Sequence, residues 1–101
     1  MKALLIKTDD TFEALDDTSL QALQEAVGGY IEMVYLHGTN LYAYVNEEGK
    51  IHNMAPNLFG TCIAASLGAL KPGDFIRGNF VLITDLEIEV NDDDDQYEGI
   101  D

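Results

Sequence analysis

The stretch from Gly28 to Asn57, GGYIEMVYLHGTNLYAYVNEEGKIHNMAPN, constrains the fold more than any other part of this chain. Tyr30 to Leu36 and Leu41 to Val45 are rich in Val, Ile, Tyr and Leu, the residues that fit a pleated sheet. Between them His37-Gly38-Thr39 offers a short connection whose glycine can turn left-handed. A three-residue loop sets Leu36 opposite Asn40, Tyr35 opposite Leu41 and Met33 opposite Ala43. One face then carries Ile31, Met33, Tyr35, Leu41, Ala43 and Val45 and is expected to be core. The other carries Tyr30, Glu32, Val34, Leu36, Asn40, Tyr42, Tyr44 and Asn46. A four-residue loop would slip the register by one and mix both faces, which argues for the shorter loop.

Asn46-Glu47-Glu48-Gly49-Lys50 reads as the next turn, with Asn46 at its opening position and Gly49 supplying positive φ. Ile51 to Met54 is expected to return as a short strand. Pro56 suits a first helical turn, and a helix follows with Leu58, Phe59, Cys62, Ile63, Ser66 and Leu67 at helical spacing before Gly68.

Lys2 to Lys7 reads as a strand, and Thr8 to Asp17 as an irregular acidic segment anchored by Phe12 and Leu15. Thr18-x-x-Gln21 matches a capping box, opening a helix whose stripe is Leu20, Leu23, Ala26 and Val27 and which Gly28-Gly29 ends. Lys71-Pro72-Gly73-Asp74 is a turn, with proline setting φ and glycine accepting a positive one. Phe75 to Arg77 and Phe80 to Thr84 read as strands around a Gly78-Asn79 bend, the second extending toward Val90. Residues 1–90 are thus expected to form one α+β domain, a mostly antiparallel sheet of about five strands with two helices. Residues 91–101, with four consecutive aspartates, are expected to be a disordered tail.

Charge narrows the function. Nineteen acids against five bases give a net charge of −14, and nine of the acids fall between Asp85 and Asp101 with no base among them. Direct nucleic-acid binding through phosphates is not expected from that balance. The single Cys62 leaves no intramolecular disulfide or cysteine-based zinc cluster, and its place on the apolar helical stripe is expected to bury it. The apolar run in MKALLIKT is too short for a signal peptide or membrane span, so a cytoplasmic location in a bacterial host is expected, with no membrane partner.

Taken together, the MKALLI strand, VGGYIEMVYL, the VNEEGK turn, the helix start at Asn57 and GDFIRGNFVLI resemble a small bacteriophage and bacterial, notably actinobacterial, family of unknown function. The resemblance covers residues 1–84, and the family offers no catalytic residues to carry over. It implies a phage or mobile-element context, in which small accessory proteins act on host machinery or host defence.

No motif names a reaction. Glu47 and Glu48 are turn neighbours rather than carboxylates facing across a cleft. His52 and Cys62 lack a third orienting group, and Gly28-Gly29 lacks the G-x-G-x-x-G spacing. The aspartate run lacks the glycine and twelfth-position acid of a calcium loop. A non-enzymatic chain without cofactor or metal is expected.

Three binding roles fit. In the first, the chain modulates, chiefly inhibits, a host protein through Asp9, Asp10, Asp16 and Asp17 with Tyr30, Glu32, Tyr42 and Tyr44 as anchors. In the second it is an acidic DNA mimic occupying the groove of a basic nucleic-acid-binding protein. In the third it sequesters a small ligand, such as a nucleotide signal, with Asn46, Lys50, Asn57, Thr61 and Arg77, the chain's one arginine. A homo-oligomer is compatible with all three.

Overall fold

A computed structural model describes residues 2–84. The elements run β1 (Ala3–Ile6), β2 (Phe12–Leu15), α1 (Leu20–Val27), β3 (Ile31–Tyr35), β4 (Tyr42–Asn46), α2 (Leu58–Ser66) and β5 (Phe80–Ile83). The five strands form one antiparallel sheet in the order β2-β1-β5-β4-β3, so the α+β class is as expected. The expected extension of the last strand toward Val90 and the acidic tail at 91–101 lie outside the described residues.

A helix covers each face. On one, Leu23 and Val27 of α1 pack on Ala3, Leu5, Val81 and Ile83, with Leu15, Ile31, Tyr42 and Tyr44 at the margin. On the other, Ala64 of α2 joins Ile6, Ala43, Val45, Ile76 and Phe80, with Leu4, Val34, Ile63, Leu70 and Leu82 around them. Side chains alternate across a strand, so each central strand supplies both clusters.

Double coverage explains the largest correction. The β3–β4 ladder pairs Tyr35 with Tyr42, Val34 with Ala43 and Met33 with Tyr44, one residue away from the expected register. The connection is therefore the four-residue His37–Asn40 loop. Thr39 closes it, its hydroxyl donating to Leu36 O at 2.6 Å and accepting from Leu41 N–H at 2.9 Å. The rejected register mixes apolar and polar residues on both faces, and a sheet with a helix on each side has room for both mixtures. Met33 and Tyr35 consequently leave the expected core for the surface, whereas Val34 and Leu36 turn inward.

Other elements differ locally. Thr8 to Asp17 is not irregular: Phe12–Leu15 pairs with β1 as β2, Ile6 opposite Phe12 and Ala3 opposite Leu15. Ile51 to Met54 forms turns instead of a strand, and Ile51 is 79% exposed. Its place beside β4 is taken by β5. From Phe75 to Arg77 only Arg77 is bridged, to Pro56, which therefore precedes the helix rather than opening it.

Both helix starts are set by side chains. Ser19, one residue after the expected cap, accepts from Ala22 N–H at 3.3 Å, and Leu20 stands exposed beyond it. Asn57 caps α2 as expected, accepting from Gly60 N–H at 2.8 Å. Gly60 and Ala64 face the sheet, and a Cβ on Gly60 would meet Phe80 at 3.0 Å. That close seat turns Leu58, Phe59 and Cys62 outward, so the thiol expected to be buried is exposed.

Candidate functional site

The acids expected to act together are divided by β2. Asp9 and Asp10 sit in the turn before it, Asp16 and Asp17 after it. Asp9 accepts from the Thr11 hydroxyl and amide, which hold its carboxyl below the usual carboxylate range. Asp17 is lowered likewise by bonds from Ser19, whose amide donates at 2.9 Å. These carboxylates shape turns. They also lie at the opposite end of the sheet from β3, about 15–20 Å away at the usual strand spacing, so the structure does not join them to the tyrosines.

The tyrosines divide as well. Tyr42 and Tyr44 stand on the α1 side of β4, their rings edge-to-face at 5.7 Å. Burial, then the neighbouring Tyr42 and Tyr35, pushes the Tyr44 phenol up. Glu32 pairs with Val45 and belongs to the other face, and Tyr30 lies before β3, 68% exposed.

What does gather beside Tyr42 includes Met33, Tyr35 and Leu41, which the expected register had placed in the core. Met33 is 45% and Tyr35 66% exposed, and with Thr39, Asn40, Leu41 and Tyr42 they line a hollow of about 520 Å³. This apolar, tyrosine-rich surface lies on β3, the end strand of the sheet. Its signal in the sequence was the Gly38-Thr39-Asn40 run, where a hydroxyl two residues before Leu41 can close a longer loop.

Among the proposed ligand residues, the structure brings three together. Asn46, Lys50 and Arg77 line a cleft of about 370 Å³ with Glu32, Val34, Val45, Glu47, Leu70, Asp74 and Phe75 among its other walls. Asn46 is committed to structure, donating to Val27 O at 3.1 Å and accepting from Glu48 N–H at 2.7 Å. Lys50 bonds Asp74 at 2.7 Å, tying two turns together and lowering the Asp74 carboxyl below its ordinary value. Arg77 donates to Met54 O at 3.2 Å, and no carboxylate pairs with it among the described residues. Gly49 is set against its backbone, where a Cβ would lie 2.8 Å from Arg77 O.

Asn57 and Thr61 stand apart from that cleft. The buried Asn57 amide donates to Ile6 O and Gly78 O at 2.8 and 3.0 Å, and the Thr61 hydroxyl accepts from Ile76 N–H at 2.9 Å. His52 bonds Glu48 at 3.0 Å on the surface. Among the described residues, no group of three or more His, Cys, Asp or Glu could hold a metal ion. No helix there is long and apolar enough to cross a membrane.

The sequence pattern of a family described as "Domain of unknown function (DUF3846)" matches residues 1–98. The chain belongs to the DUF3846 family. The DUF3846 match extends past the residues 1–84 that carry the resemblance and takes in most of the acidic C-terminal stretch. No curated protein and no solved structure matches the chain.

Proposed function

We propose that this DUF3846 protein is a non-enzymatic accessory protein of a phage or mobile element that docks onto a host protein and modulates it, chiefly by inhibition. The observation that carries the reading is the exposed Met33–Tyr35–Tyr42 surface on the end strand β3. Tyrosine and methionine are enriched where proteins meet, and ordered aromatic side chains supply contact area at low entropic cost. A net charge of −14 favours a basic partner. Ordered mimicry of a DNA duplex is the weaker form of this reading, because β2 separates the two pairs of acids.

The test places a photo-crosslinking side chain at position 35 and, as control, at the exposed position 71. Each protein is then irradiated in host extract. One discrete protein adduct at position 35 and none at 71 is expected; equal labelling from both, or none, removes the reading.

A second reading has its own observation, the arginine in the 370 Å³ cleft that has no carboxylate partner among the described residues. Three acids and two bases line that cleft, so a zwitterion suits it better than a polyphosphate. Native mass spectrometry would then find a small retained mass that Arg77→Ala loses.

A further inference from the structure

Among the described residues the edge of β3 is open, and its bonding pattern follows from two hydrogen bonds. Leu36 N–H donates to Leu41 O at 3.2 Å and Glu47 N–H to Tyr30 O at 2.9 Å, bracketing the β3–β4 ladder. Alternate residues of an antiparallel strand bond to the same neighbour. Glu32 and Val34, lying between those brackets at even spacing, therefore bond to β4. Ile31, Met33 and Tyr35 turn their backbone N–H and C=O groups away from β4, and no strand lies beyond them among the described residues.

Proteins commonly protect such an edge with prolines, bulges or lysines. This one has none of these between Ile31 and Tyr35. Its two faces differ in chemistry instead. Met33 and Tyr35 make one side apolar, while Glu32 lines the cleft on the other side with Glu47 and Val34.

We propose that β3 accepts an added strand from the partner, and that this strand alternates apolar with basic side chains. The inference rests on the partner-binding reading above and names the partner's chemistry. Residues of the incoming strand paired with Ile31, Met33 and Tyr35 lay their side chains beside Met33, Tyr35 and Tyr42, where apolar or aromatic groups bury the most surface. The residues between them fall on the opposite face, next to Glu32 and the mouth of the cleft, where Lys or Arg meets two carboxylates that have no base bonded to them among the described residues. Each copy of this chain carries −14 and would bring its own Glu32 to that face, so charge opposes a second copy as the occupant.

The experiment titrates the full chain with a short capped peptide alternating Val and Lys, read by backbone amide NMR shifts. Three controls accompany it: a peptide with Glu in place of Lys, one with the valines and lysines in separate blocks, and one N-methylated at every second amide. The alternating peptide is expected to shift Ile31, Met33 and Tyr35 and to bind at least about tenfold more tightly than each control. Glu32→Lys is expected to weaken it by a similar factor without unfolding the protein, since Glu32 is exposed. Equal binding by the N-methylated or block peptide overturns strand addition, as does concentration-dependent self-association through β3 in the absence of peptide. If position 35 crosslinks a host protein while the peptides fail, only strand addition falls. If both fail, the partner-binding reading falls with it.

Discussion

Tyr35 lies directly opposite Tyr42 across the β3–β4 ladder, and this pairing decides which side chains of the hairpin share a face. It places Tyr35 with Met33 on the exposed α1 side and sends Val34 to the cluster beneath α2. The surface offered to a partner is a consequence of register, since a slip of one residue would exchange the two sets.

Substitutions at two positions that this register puts on opposite faces of the hairpin test it. Tyr35→Ser is expected to cost no more than about 1 kcal/mol, the scale of an exposed cross-strand pair such as that with Tyr42. Val45→Ser, at a buried position facing α2, is expected to cost about 2–3 kcal/mol by losing apolar burial and leaving a hydroxyl to satisfy. Urea unfolding midpoints measure both.

Asn57 is the principal polar fastening of the fold. Its side chain accepts from Gly60 N–H and donates to the carbonyls of Ile6 and Gly78, joining α2, β1 and the Gly78 bend at a fully buried position. Asn57→Ala removes the cap and strands both carbonyls, for an expected loss on the order of 2–4 kcal/mol. Asn57→Asp keeps the acceptor but sets a carboxylate against those carbonyls, and thermal denaturation should find it no more stable than the alanine variant.

Gly60 opposes two effects of known size. Alanine is the better helix former by about 1 kcal/mol. The added methyl, however, meets Phe80 Cβ and Cγ at 3.0 Å and the Asn57 oxygen at 3.1 Å, and overpacking of this kind costs about 1–3 kcal/mol. Gly60→Ala is therefore expected to lower the melting temperature, while Ser66→Ala on the exposed side of α2 is expected to leave it unchanged or raise it.

The Tyr44 phenol should ionise after an ordinary tyrosine. Its folded pKa is raised, chiefly by burial and then by Tyr42 and Tyr35, so folding favours the protonated form. The stability it contributes is full below the unfolded value of about 10 and is lost as pH rises through the folded value. Ultraviolet titration of the native protein should show a late-ionising tyrosine that Tyr44→Phe removes, with Tyr42→Phe moving it part of the way back.

The sequence revealed the parts governed by local chemistry. The Lys71-Pro72-Gly73-Asp74 turn forms with Asp74 N–H donating to Lys71 O at 3.0 Å and Gly73 at φ 81°. Asn46 opens its turn, Gly28 ends α1 at φ 80°, and Asn57 starts α2. Choices that depend on tertiary neighbours were not legible. Gly49 does not take positive φ; the close approach of Arg77 O constrains it instead. The four residues of β2 are too few for their alternation to stand out among flanking acids, and pairing on β1 stabilises them. Helical spacing located α2, but Leu58, Phe59 and Cys62 turn outward because Gly60 seats the helix close to Phe80. The hairpin register rested on keeping polar residues to one face, and a sheet covered on both sides does not impose that rule.

Residue-resolved hydrogen exchange on the full chain, alone and with the alternating Val and Lys peptide, tests the open edge of β3 most directly. In the free protein the amides of Glu32, Val34 and Leu36 are expected to be protected, while those of Ile31, Met33 and Tyr35 exchange at least about tenfold faster. With the peptide bound, the second set should become protected and the first should change little. Protection of Ile31, Met33 and Tyr35 in the free protein, or their continued rapid exchange with the peptide bound, would contradict an edge that accepts a partner strand.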